Sequence, residues 1–417
     1  VTAHKPKLPL PERAITLPAQ HFLRKLPPIC AIIGLVFLLA TLGMGFLTNL
    51  SIPVYGAYLV AYLFFLSIAL GGLFFVLLHF AVRAGWSVVV RRLAEYTMAT
   101  IPLFVILALP LLLGGEHSGL HAIYHHWLDP KAAADPIIKG KIPYLNLGFF
   151  LIRALIYFAV WILISQWYLR NSIKQDSVGG IEISKKLQFW SPVSLAAFAI
   201  TTSFAAFDWI MSIEPHWFST IFGIYFFSGC AIAIYATLVL MVISLRKLGF
   251  LNDIVTVEHD HDLGKLLFGF IVFWSYIAFS QFMLLWYANM PEGTLWYTYR
   301  IKGEWLNLTI LLAIGHFVLP FFFMMSRKIK RNIVTLAISA IWILIFHLID
   351  LYWLIMPSLY HGSKTFSFQI LDLLFLVSSF IGIGGIFVAG VIWWMPRTNL
   401  VPIKDPRLPE SLSFENM

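Results

Sequence analysis

The sequence predicts an all-α polytopic membrane protein with about ten transmembrane helices. Three observations lead there. Only 12% of the 417 residues are charged and 60% are apolar, against a charged fraction of about 25% in ordinary soluble domains. The apolar residues come in long continuous runs, not in the alternating segments of about ten residues that build transmembrane barrels. Lysine and arginine gather in every second loop. Only helices and closed barrels satisfy their backbone polar groups in lipid, so each run of roughly 20 apolar residues reads as one helix.

In order, the runs lie near 29–50, 53–82, 93–114, 143–169, 188–212, 217–245, 264–290, 305–325, 332–356 and 367–395. Of the 29 Lys and Arg residues, 22 fall on one side, in the two tails and the even-numbered loops. Six fall on the other, and Arg153 lies within the fourth run. That bias places both termini in the cytoplasm. Residues 1–28 form a basic, Pro-rich tail with no apolar core of the signal-peptide kind, expected to lie along the membrane surface or a partner. Residues 29–395 form the integral domain, and 396–417 a second cytoplasmic tail. Trp and Tyr cluster at run ends, as in Trp286/Tyr287, Trp296/Tyr297/Tyr299 and Trp393/Trp394, where an interfacial belt requires them.

Runs two to five and six to nine resemble two copies of one four-helix unit, about 53–212 and 217–356. The fourth opens Tyr144-Leu145-Asn146-Leu147 and the eighth Trp305-Leu306-Asn307-Leu308. The fifth carries Asp208 seven residues before Pro215, and the ninth carries Asp350 seven before Pro357. Both units start from the same side, so the repeat is parallel, with the first and tenth helices flanking it.

Ionisable residues at membrane depth are costly and are functional candidates by default. Arg153, Asp208, His316, His347, Asp350 and Asp372 lie toward the outer half or the middle; His79 and Glu95 lie toward the cytoplasmic side, His79 near the interface. Two readings stand side by side. In one, these groups form a proton relay, because imidazoles and carboxylates exchange protons when their surroundings permit. In the other they are polar pairs between helices, Arg153 with Asp208 and His347 with Asp350, or Asp208 and Asp350 cap the outer ends of their helices. His316 and His347, on adjacent antiparallel helices, are also a candidate bis-His haem pair. In the outer loop HSGLHAIYHHWLDP, His117, His121 and His125 share one helical face beside His126. An amphipathic surface helix with Leu120, Tyr124 and Trp127 turned inward explains this loop without a metal.

Two cysteines, Cys30 and Cys230, both in apolar runs, exclude an iron–sulfur cluster, a c-type haem attachment and a zinc knuckle within the chain. No phosphate-binding glycine loop, dinucleotide fingerprint or nucleophile elbow occurs, and nothing points to nucleic acid.

The run FDWIMSIEPHWFST at Phe207–Thr220, the IFGIYFFSG that follows, SQFMLLWYANMPE, the outer-loop HHWLDP and the YLNLGFFLIRALIY that opens the fourth run together resemble the smaller NrfD-like membrane subunit of Alternative Complex III, a quinol:cytochrome c oxidoreductase. The resemblance covers roughly 26–394. It implies a multi-pass protein of the bacterial inner membrane, with two four-helix bundles flanked by single helices and no redox centre of its own. Menaquinone or ubiquinone would be the quinone of the complex, with lipids bound around it. The implied partners are the larger NrfD-like subunit, a periplasmic iron–sulfur protein and multihaem and monohaem c-type cytochromes, with a terminal oxidase as an optional further neighbour. In that family quinol oxidation is assigned to the larger subunit and a proton-translocation path to the smaller. Arg153, Asp208, His216 and Gln281 occupy matched motif positions, with Asp350 less specifically; Asp208, His216 and Gln281 are the candidates if this chain binds quinone itself. An independent secondary transporter and a plain scaffold are the remaining alternatives.

Overall fold

A computed structural model describes residues 10–48, 50–112, 119–360 and 370–416. The regular structure of the described residues is all helical, with no strand among them. Among the described residues ten helices are long and apolar enough to cross a membrane: α1 (Leu26–Thr48), α2 (Ser51–Ala81), α3 (Val88–Leu112), α4 (Leu147–Val178), α5 (Glu182–Trp209), α6 (Phe222–Lys247), α7 (Val257–Ala288), α8 (Glu304–Met325), α9 (Ile333–Leu359) and α10 (Ile370–Trp394). An even number of crossings puts the two tails at one end of the molecule, here the terminus side; the opposite end is the far side.

Several helices continue past the apolar runs. α4 has 32 residues and α5 has 28, about 48 and 42 Å at 1.5 Å per residue, against a hydrocarbon core of about 30 Å. Arg170, Lys174, Lys185 and Lys186 therefore ride on projecting helix ends, not in a loop. The chain reverses over residues 179–181, where Gly179 and Gly180 take φ of 71° and 81°, a backbone region open to glycine at little cost. Likewise α3 starts at Val88, so Arg91, Arg92 and Glu95 lie inside it, buried.

α2 is the innermost helix, buried along its whole apolar window and packed against α3, α5, α6, α9 and α10. That position explains why its sequence is apolar all round: no face of it is spared for water. α1 packs chiefly on α10. A Cβ at Gly34 would sit 2.6 Å from the Gly382 carbonyl oxygen, and Thr41 bonds Ser378 at 2.6 Å. Close approach of small residues replaces the hydrophobic drive that is missing between helices in lipid.

The matching sequence markers on which the expected repeat rests are used differently in the structure. The Asn146 side chain accepts from Phe149 N and caps α4, whereas Asn307 lies inside α8. Pro215 lies in the turn after α5, whereas Pro357 lies within α9. Neither Asp208 nor Asp350 caps a helix end; both carboxylates point into side-chain clusters.

The tails fold onto the chain itself. Ile15 and Leu17 are buried, Leu251 N donates to Ala14 O at 3.1 Å, and Leu400 N donates to Ile15 O at 2.7 Å. Residues 398–416 cross the terminus side. Ile403 N donates to Asp176 at the end of α4, Asp405 pairs with Arg91 of α3 at 2.6 Å, and Ser411 O accepts from His259 of α7 at 3.1 Å. At the far side, a helix Gly119–Leu128 buries Leu120, Tyr124 and Trp127, as its amphipathic pattern requires. Tyr124 then donates to Trp209 O at 3.0 Å. His117 lies outside the described residues.

Candidate functional site

Two buried carboxylates, Asp208 in α5 and Asp350 in α9, define the site, and their surroundings differ. Asp208 ends α5 on the inner face of α4. Arg153 reaches it with both arms of its guanidinium, Nε to Oδ2 at 2.7 Å and Nη2 to Oδ1 at 2.9 Å. Tyr157, one turn along α4 from Arg153, adds its hydroxyl to Oδ2 at 2.6 Å. The guanidinium also donates to Tyr144 O at 2.8 Å and lies 3.8 Å from the centre of the Tyr144 ring. A two-armed Arg–carboxylate contact is among the strongest pairings available to side chains, and the surrounding rings exclude water from it. The expected pairing of Arg153 with Asp208 is thus present.

Asp350, in α9, has no such partner. Its oxygens accept from Tyr225 of α6 at 2.6 Å and from the Trp274 indole of α7 at 3.1 Å, both neutral donors. No ion pair reaches it among the described residues. Trp274 in turn covers the ring of His316 at 3.9 Å between centroids. His316 is fully buried in α8, and neither of its nitrogens has a hydrogen-bond partner among the described residues. It sits where α8 widens into a π-helical turn, Ala313–Val318, a rare distortion that recurs at functional sites. The carbonyl of Gly315 is turned to Trp342, which donates to it at 2.7 Å.

His347 shares a face with Asp350 but does not bond it, against expectation. Its Nε2 contacts the Ser67 hydroxyl at 2.8 Å, a partner supplied by α2, which packs against α9. Gly229 makes that rotamer available: a Cβ there would lie 2.7 Å from His347 Cε1. The Ser67 bond takes one of the two atoms through which His347 would ligate haem, and no haem chemistry is assigned to the pair. Thus Asp350, His316 and His347, on two helices, meet around Trp274, Tyr225 and Ser67 from three others.

The remaining candidates lie apart. Asp372 accepts from Tyr360 at 3.0 Å at the far end of α10. His79 is buried in the last turn of α2, and its Nδ1 is 2.7 Å from Phe75 O. Glu95 is wholly buried on the terminus side between Arg91 and Arg92, at 3.3 and 3.0 Å, and accepts from Ser172 at 2.8 Å. Arg92 continues to Asp176 at 2.8 Å. This network ties α3, α4 and the C-terminal segment together, and no side-chain hydrogen bond among the described residues links it to Asp208 or Asp350. Gln281 bonds Tyr297 and Ser219 at 3.2 Å each, away from Asp208. Among the described residues no cluster of three or more His, Cys, Asp or Glu side chains is arranged to hold a metal.

His216 belongs to the far surface. Its Nε2 lies 2.7 Å from Asp135, in the loop between α3 and α4, and its Nδ1 3.3 Å from Glu214. The Asp135 hydrogen bond raises the His216 imidazole above its ordinary 6.5, and the same bond lowers the Asp135 carboxyl below 3.8. A raised histidine stabilises the fold at low pH and loses that contribution as pH rises through its folded value; a lowered carboxylate contributes above its ordinary value and loses it as pH falls. Both contributions are therefore complete between about pH 3.8 and 6.5. Amide-exchange protection of residues 119–146 is expected to be higher at pH 6 than at pH 9, with the difference absent in His216→Gln. Equal protection in the wild-type chain at both pH values would refute the coupling.

Arg300 is one of the six Lys and Arg residues that the sequence puts on the far side, and nothing in its spacing marks it as a site residue. It is fully buried, stacked 3.4 Å from the Trp296 ring centre. It donates to the carbonyls of Trp296, Trp353 and Leu354 and to the Ser358 hydroxyl. Burial pulls it down to about 9, which leaves it cationic at neutral pH. The surrounding Trp296/Tyr297/Trp353 set was the available signal, since guanidinium groups favour aromatic faces.

No model of a known protein family matches the chain, and no curated protein matches it. The functional reading therefore rests on the residues themselves.

Proposed function

We propose that this chain is an integral membrane subunit of a respiratory or photosynthetic quinol:electron-acceptor oxidoreductase of the Alternative Complex III type. In this reading it has no redox centre of its own, and its second four-helix set carries protons between the two membrane faces. The complex, its iron–sulfur and cytochrome partners, the bacterial inner membrane and the cytoplasmic termini come from the sequence resemblance. The proton role is supported by one observation: Asp350 is buried with only neutral donors, beside two buried imidazoles with unused nitrogens. A carboxylate in that setting gains or loses a proton without breaking an ion pair. Asp208, held by Arg153 on both oxygens, does not. We assign Asp350, His316 and His347 to the path and Arg153–Asp208 to a fixed structural pair, which keeps the first set closed.

Quinol oxidation within this chain is the second reading, and the cavity next to Phe64 bears on it. Phe64 packs on His347 at 5.5 Å and also lines a large apolar cavity, yet no acid or imidazole lines that cavity among the described residues. A quinol there would have no group to take its proton, so the proton-path reading is preferred. Purification tests the complex: a chain that leaves the membrane alone and monomeric would sink it. For the path, Asp350→Asn in the assembled complex is expected to lower the proton-to-electron ratio in liposomes while electron transfer persists. An unchanged ratio at normal turnover would remove Asp350 from the path.

A further inference from the structure

The cavity just mentioned has a volume of about 880 Å³ and lies between α1, α2, α6, α9 and α10, in the half nearer the terminus side. That volume is within the range of about 300–1,000 Å³ typical of ligand pockets. Its wall is hydrocarbon and aromatic, relieved by the hydroxyls of Thr97, Thr237 and Ser244 and the thiol of Cys30. Ile33, Ile341, Ile345 and Val388 line it and are also exposed, so it is reached sideways, from the lipid, and not from water. An occupant must therefore be mainly hydrocarbon and must arrive from the bilayer.

One end of the cavity shows what else the occupant carries. Leu23 and Leu248 line it there, and beside them in the chain stand Arg24, Lys25 and Lys247, all exposed. Neither lysine has an ion pair among the described residues. Arg24 spends its donors on the carbonyls of Leu17 and Pro18 and keeps its charge, whereas Arg246 is already neutralised by Asp260 at 2.6 Å. Basic side chains at the membrane surface above a hydrocarbon slot complement a molecule with an anionic head and apolar chains.

We propose that this cavity is a binding site for an anionic phospholipid, with an acyl chain between α1, α2, α6, α9 and α10 and its phosphate at Lys25 and Lys247. The site is independent of the proton-path reading. It does place the lipid chain against Phe64, whose other side packs on His347.

The test uses the whole complex purified from native membranes, washed in excess detergent, with retained lipid extracted and identified by mass spectrometry. Wild type is expected to retain one anionic phospholipid per chain. Charge reversal in the Lys25→Glu/Lys247→Glu double variant is expected to lower retention about tenfold or more, a free-energy change of about 1.4 kcal/mol, while Lys25→Arg/Lys247→Arg keeps it. Thr237→Phe, which fills the cavity and leaves both lysines intact, is expected to lose the lipid as well, and it serves as the reading variant if the charge-reversed chain does not fold. No retained lipid in wild type would overturn the proposal. So would equal retention in the filled variant, or a neutral lipid or an isoprenoid quinone as the retained molecule.

Discussion

Asp208→Asn is expected to destabilise the chain by about 3–5 kcal/mol, the cost of leaving a buried charge without its partner. The Asn side chain fits the same space, so the loss is electrostatic: Arg153 keeps the carbonyl of Tyr144, the Tyr144 ring and one amide oxygen, but loses the negative charge and its second acceptor. The companion double variant, Arg153→Met/Asp208→Leu, removes both charges together. It is expected to recover most of the loss, since apolar replacements of buried ion pairs are often neutral or better. Unfolding in mixed detergent–SDS micelles measures both. A single variant as stable as wild type would show that the pair contributes nothing beyond shape.

Arg300→Met is expected to cost about 3 kcal/mol, because at least two charge-assisted hydrogen bonds at about 1.5 kcal/mol each are lost. The affected groups are the carbonyls of Trp353 and Leu354, which belong to the last turns of α9. Arg300 also holds the short helix Pro291–Arg300 onto that end. Protease sensitivity of the segment after α7 should therefore rise in the variant together with the loss of stability. An Arg300→Lys chain separates charge from geometry: a lysine keeps the cation but cannot fork to two carbonyls and a stacked ring at once.

Helix number and order were legible because apolar runs in lipid have one solution, the helix, and because charge marks their ends. Helix length was less so. The sequence stops looking like membrane at Arg170 or Arg91, but a helix does not stop where the membrane does, and buried acids neutralise the charges that continue along it. Arg91 and Arg92 look like a loop and instead form a sealed network with Glu95, because the acids that complete it, Asp176 and Asp405, come from α4 and from a tail more than 300 residues from Arg91. Of the candidate site, Arg153–Asp208 was legible from opposite charges at one depth. The separation of His347 from Asp350 was not. Helical spacing puts them on one face, but the partner each takes is chosen by α2, α6 and α7, and spacing within α9 carries no trace of Ser67, Tyr225 or Trp274. Nor does hydropathy mark Gly229 as the residue that leaves room for an imidazole.

The segment that crosses the terminus side has a bearing on how the molecule is made. Asp405 closes a charge network begun at Arg91, and Ser411 meets both Trp86 and His259, so residues 405–411 complete contacts with helices far earlier in the chain. Without them Arg91 keeps only Glu95 as an acid, and α3 and α7 lack the bridge that Ser411 makes between their ends. Removal of residues 398–416 is therefore expected to spare the ten apolar helices while leaving the buried Arg91 guanidinium with one acid in place of two.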